Sequence, residues 1–111
     1  MENCIFCKIV SGKIPADKVY EDEEIVIFKD IDPRAPVHLL CVHKDHYAHL
    51  TEMDEARAAM LGRSIRKIAS MAESFGLKNG YRLVINQGED AGQTVMHLHI
   101  HVLGGEQMLF M

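Results

Sequence analysis

An α+β domain built on an antiparallel sheet is the fold class this sequence predicts. Strand-like segments precede a single long helical pattern, further strand-like segments follow it, and nowhere do strands and helices alternate as in repeated βαβ units. The 111 residues fit one domain spanning 1–111, and a chain of that size buries enough apolar surface to fold without a covalent staple. Apolar residues at 48% and charged residues at 25%, with no internal repeat, place it among ordinary globular chains.

The elements follow in chain order. Residues 4–10 carry apolar positions at i, i+3 and i+4 and stop at Ser11-Gly12, which predicts a short helix. Residues 19–21 and 24–30 read as strands joined by an acidic turn at Asp22-Glu23. The breaker Asp32-Pro33-Arg34-Ala35-Pro36 precedes a third strand over 37–42. Between Thr51 and Gly76 the sequence predicts one long amphipathic helix. Thr51 followed by Asp54 resembles a capping box, Met53, Ala56, Met60, Ile65, Ile68, Ala72 and Phe75 form the apolar stripe, and Gly76 suits the left-handed position past the end. With Ala59, Leu61 and Met71 the stripe is wider than one sheet face needs; core and partner interface are both open readings. Asn79-Gly80 marks a turn, residues 81–86 a strand, 88–92 a glycine-flanked loop, and 96–103 the last strand.

Charge and composition exclude several functions. The net charge is −4 and no Lys/Arg block stands out, so a nucleic-acid polymer is not an expected partner. The longest apolar stretches fall well short of the roughly 20 residues a membrane helix needs, and Met1-Glu2-Asn3 does not open a signal peptide. A cytoplasmic protein without membrane contact is expected. Three cysteines, Cys4, Cys7 and Cys41, are an odd number in such a chain and argue against a disulfide framework.

Chemistry concentrates near the end. His97, His99 and His101 alternate with Leu98, Ile100 and Val102, and strand period two puts the three imidazoles on one face. Crowded imidazoles lower one another's pKa and favour the neutral form, which can attack phosphorus or bind a metal. Cys4 and Cys7 form a C-x-x-C whose spacing on a helix points both sulfurs one way, as zinc ligands or as a pair of buried thiols. A thioredoxin-like redox role lacks its βαβ context.

The run MHLHIHVLGG resembles the signature of the histidine triad (HIT) superfamily, and Leu103-Gly104-Gly105 with Met108 resembles its Hint branch. IFCKIVSGKIPA, DIDPRAPVHLL, KNGYRLVINQG and Gly92-Gln93-Thr94 extend the resemblance over most of the chain. It implies a HIT-like fold of five antiparallel strands with one long and one short helix, paired into a ten-stranded sheet in a homodimer. The implied activity is hydrolysis or nucleotidyl transfer at the α-phosphate of purine nucleoside phosphoramidates, through a covalent nucleotidyl-histidine.

On the same resemblance His99 is the nucleophile, His101 contacts the phosphate, and His38 supports the nucleophile. Asn86, Gly92, Gln93 and Thr94 match phosphate-holding positions, and Asp30 matches the acid that accepts the ribose hydroxyls. Ile5, Phe6, Ile9, Phe28, Ile31 and Leu40 match the walls around the base, with ordinary core as the competing reading of each. Relatives of bacterial type bind a structural zinc at the positions of Cys4, Cys7, His46 and His97; no organic cofactor is implied. The segment 107–111 is expected to reach toward the partner's nucleotide site. This sequence departs from the pattern at His43, which stands where relatives usually have proline and adds a possible ligand. Glu106 stands where relatives often carry arginine, and His49 has no counterpart and is expected on the surface. Two rival readings stay open: a dinucleoside polyphosphate hydrolase, and a nucleotide-binding or partner-binding module with incidental hydrolysis.

Overall fold

The computed structural model describes residues 3–109. The elements run α1 (Ile5–Val10), β1 (Lys18–Glu21), β2 (Ile25–Lys29), β3 (Val37–His43), α2 (Glu55–Met71), β4 (Tyr81–Val84) and β5 (His99–Gly104). All five strands join one antiparallel sheet in the order β1-β2-β3-β5-β4, so the predicted fold class holds. No helix among the described residues is long and apolar enough to cross a membrane.

Both sheet faces are covered, by different elements. On one, Ile25, Ile27, Leu39, Cys41, Ile100 and Val102 pack against Ile68 and Ala72 from the long helix and Leu77 just past its end. Each large aliphatic side chain buried this way contributes roughly 1.5–3 kcal/mol of transfer free energy. On the other, Val26, Phe28, Leu40 and Val42 pack against Phe6 and Ile9 of α1. The register pairs His99 with Val42 and His101 with Leu40, which puts both imidazoles on the α1 face of the two central strands.

The long helix starts later than predicted. Its N-cap is Asp54, whose carboxylate accepts from Arg57 N at 2.9 Å, while Thr51 lies in a separate 3-10 turn over Leu50–Glu52. Glu52 closes that turn by accepting from Ala48 N and His49 N. The buried stripe of α2 includes Met60, Ser64 and Ile68, and Ala72 continues it at the C-cap. Ile65 and Ala56, expected in the stripe, are exposed, and a serine occupies the inward position instead. Past the helix, Gly76 adopts φ 84°, and Leu77 N returns to the Ala72 carbonyl at 2.9 Å, burying Leu77.

β5 also begins later than predicted. Leu98 N donates to the Tyr47 carbonyl at 2.7 Å rather than into the sheet, so His97 sits in a bend before the strand and only His99 and His101 alternate on it. His97 owes its place to that bend rather than to strand alternation, but its ring still turns to the α1 side, 6.0 Å from the Phe6 ring centroid and 3.3 Å from Cys4 Sγ.

Candidate active site

His99 is buried on the first residue of β5. Its Nδ1 lies 2.7 Å from the His97 carbonyl, which can only accept, so Nδ1 carries the hydrogen and Nε2 keeps its lone pair. The Phe6 ring meets it edge-on at 5.0 Å. Burial pulls the His99 pKa below the ordinary 6.5, against the opposing pull of that carbonyl bond.

The tautomers of the two neighbouring imidazoles follow from one backbone contact. Arg34 N–H donates to His38 Nδ1 at 3.0 Å, which leaves the His38 hydrogen on Nε2. That N–H points at His101 Nδ1, 2.9 Å away, with an Asp30 carboxylate oxygen at 3.3 Å. His101 Nδ1 therefore accepts and its Nε2 carries a hydrogen to give. Burial first, then the neighbouring His99 and His38, push His101 down to about 4, so it donates as a neutral imidazole. His99 and His101 meet edge to face, with ring centroids 5.0 Å apart and an interplanar angle of 63°. The result is a lone pair beside a neutral N–H donor. Asp30, His38 and His101 converge within 4.8 Å, a distance a metal could also exploit, but the hydrogen shared between the two imidazoles already accounts for the cluster.

The expected nucleotide contacts divide. Asp30 stands at the end of β2 with its second oxygen accepting from Asp32 N at 2.8 Å, and it lines a cavity of about 680 Å³ together with His38, Lys29 and Phe75. Phe6, Ile9, Phe28 and Leu40 are buried in the α1 cluster, so their main contribution is core packing. Ile5 at 45% and Ile31 at 99% exposure are open surface. Asn86 is half-buried just past β4, and Thr94 and Gly92 are exposed, Gly92 with φ 78° at the end of a 3-10 turn. Gln93 differs from expectation. Its carbonyl oxygen accepts from Gly88 N at 2.8 Å and its NH2 donates to the Ala48 and Val95 carbonyls at 2.9 and 3.3 Å. The side chain is spent on bracing the loop that carries Gly92 and Thr94, rather than aimed at a phosphate.

A second cluster lies on the other side of His97. Cys4 caps α1, Cys7 follows one turn on, and the ligand atoms of Cys4, Cys7, His46 and His97 lie within 4.8 Å of one another. His97 Nδ1 is 3.3 Å from Cys4 Sγ and 3.1 Å from His46 Nδ1, and Cys7 Sγ is 3.2 Å from His46 Nδ1. These spacings fit donors around one tetrahedral ion with metal bonds of ~2.0–2.3 Å. His97 Nε2–H donates to the His43 carbonyl at 2.6 Å, which fixes the tautomer that leaves Nδ1 free to ligate.

His43 is not a rival ligand. Its ring is fully buried, with Nδ1 2.9 Å from the Tyr47 hydroxyl and Nε2 3.0 Å from Ser64 Oγ, and burial holds it down to about 4. His49, expected on the surface, is half-buried. Tyr47 and Ser64 were missed by sequence reasoning; the available signal was a serine at four-residue spacing between Met60 and Ile68.

Comparison with known proteins gives the chain a family and a shared fold. The model of a family described as the HIT domain matches residues 11–108. The chain is 47% identical to Protein HitA of Neisseria gonorrhoeae over 104 residues, covering 94% of this chain and 97% of the relative. Among solved structures it is similar to a HIT family hydrolase from Legionella pneumophila Philadelphia 1, with a TM-score of 0.92 at 43% identity and 97% of each chain covered. It is also similar to a zinc-bound histidine triad family protein from Mycobacterium smegmatis, with a TM-score of 0.81 at 39% identity, covering 92% of this chain and 74% of that one.

Proposed function

The chain belongs to the HIT domain family, and from that premise we propose that it hydrolyses purine nucleoside phosphoramidates of the adenosine monophosphoramidase type at the α-phosphate. The observation that carries the reading is the 2.7 Å bond from His99 Nδ1 to the His97 carbonyl, which leaves Nε2 as a nucleophile of fixed tautomer. Attack by Nε2 forms a phosphorus–nitrogen bond to His99 as the bond to the leaving amine breaks, the amine taking its proton from water. Water then cleaves the nucleotidyl-His99 bond and releases the nucleoside monophosphate. His101 Nε2–H stabilises charge on the phosphoryl oxygens, His38 holds His101 in the donor tautomer, and Asp30 accepts the ribose hydroxyls.

Cys4, Cys7, His46 and His97 would hold a zinc ion; a closed site of this kind stabilises the fold rather than supplying a reacting group. The same reading makes the protein a homodimer through α2 and β4, where Ile65 and Tyr81 leave apolar surface exposed. It also places the protein in the cytoplasm, where its three free cysteines stay reduced.

The test is turnover of an adenosine phosphoramidate against diadenosine polyphosphates. Release of AMP from the phosphoramidate at the higher kcat/KM supports the assignment. Hydrolysis of the dinucleotides alone would replace it with the rival hydrolase reading, and binding without turnover of either would leave a nucleotide-binding module.

A further inference from the structure

The segment between β3 and the long helix contains a buried hydrogen-bonded chain that the proposed reaction does not use. Ser64 Oγ donates its only hydrogen to the Met60 carbonyl at 2.8 Å, so toward His43 Nε2, 3.0 Å away, it can only accept. His43 therefore carries its hydrogen on Nε2, and its Nδ1 lone pair accepts from the Tyr47 hydroxyl at 2.9 Å. Both ring nitrogens are paired, and the ring is 0% exposed. Rotating it would leave two buried polar groups unmatched.

The backbone of the same two residues grips the bend that leads into the catalytic strand. The His43 carbonyl accepts from His97 Nε2–H at 2.6 Å, and the Tyr47 carbonyl accepts from Leu98 N at 2.7 Å. The ring-to-hydroxyl bond thus ties together the two residues whose carbonyls hold consecutive residues. The His97 carbonyl in turn accepts from His99 Nδ1. We propose that His43 is a positioning residue: anchored to Ser64 of α2 and to Tyr47, it fixes the carbonyl that orients His97, and through the His97 backbone it fixes the tautomer of His99. The consequence for catalysis rests on His99 being the nucleophile; the consequence for the two tautomers does not.

Ser64→Ala and Tyr47→Phe each delete one hydroxyl and leave the ring in place, whereas His43→Ala opens a buried hole and can fail to fold. Ring-nitrogen NMR of histidine-labelled protein reads the tautomers of His97 and His99 without substrate. Cobalt(II) titration reads the affinity of the thiol–imidazole cluster, and kcat and KM on adenosine phosphoramidate read positioning. Each hydroxyl deletion is expected to lower kcat and cobalt affinity by about 10-fold, with KM within about 2-fold. The His97 nitrogens should move from a single Nε2–H form toward a mixture, with the His99 Nδ1 signal following. Unchanged His97 and His99 nitrogen signals in both variants, with only the melting temperature lowered, would make His43 a packing brace and overturn the proposal. Should the parent protein fail to hydrolyse the phosphoramidate, the functional reading falls, and the nitrogen signals still decide the role of His43.

Discussion

Neutrality of individual imidazoles governs the site at the scale of single residues. His99 attacks only through an unprotonated Nε2, and burial lowers its pKa below 6.5. Falling pH therefore costs activity only when it passes that lowered value, so kcat/KM should stay level through pH 6.5 and decline below it. A pH–rate profile whose acid limb is centred above 6.5 would contradict this. His101→Ala removes the neutral donor beside the nucleophile and should cost on the order of 10²-fold to 10³-fold in kcat, measured in steady state. The pair of strand imidazoles was legible because alternation on a strand is a two-residue pattern. The part played by Gln93 was not. An amide next to a glycine-rich loop can face a phosphate or the loop's own backbone, and only the folded positions of Gly88, Ala48 and Val95 decide which.

At the scale of elements, the sequence pattern sets the starts of the long helix and of the last strand three residues early. Thr51 and Asp54 stand three apart and both are good capping residues, so local pattern favours either; the 3-10 turn over Leu50–Glu52 selects Asp54. Asp54→Ala should therefore lower stability by about 1 kcal/mol and Thr51→Ala by less than about half of that, read by urea unfolding. Equal losses would return the cap to Thr51. The early start assigned to β5 has a similar cause, since the alternation of His97 and Leu98 continues that of the strand while their hydrogen bonds go to the His43 and Tyr47 carbonyls. Gly104 closes the same strand. A Cβ there would sit 2.6 Å from Leu77 Cδ2 and 3.0 Å from the Gly80 carbonyl oxygen, so Gly104→Ala should cost roughly 1–3 kcal/mol in the same assay. A neutral substitution would show that the turn into β4 yields without penalty.

For the whole molecule, buried neutral imidazoles make stability depend on acid. His43 and His101 are each lowered to about 4 from 6.5. Above pH 6.5 both folded and unfolded forms are neutral and these groups contribute nothing to the slope. Between 6.5 and about 4 the unfolded chain binds the protons first, so stability falls as pH falls, and His43 alone accounts for up to about 3 kcal/mol by pH ~4. Urea midpoints should decline across that window; a flat profile would mean that these rings charge without unfolding. Metal removal acts on the same scale. If zinc joins α1 to the bend before β5, chelation should lower stability by several kcal/mol, and a metal-free protein of unchanged melting temperature would leave Cys4 and Cys7 as packed thiols.

The central claim is that His99 Nε2 forms the bond to phosphorus, and trapping that bond tests it most directly. The protein is mixed with adenosine phosphoramidate, quenched before turnover is complete, digested and mapped by mass spectrometry. The account predicts one adenylyl group on the peptide carrying His99, localised to that residue and absent from His99→Ala. An adduct on His97, His101 or any other residue, or near-normal turnover by His99→Ala, would contradict it.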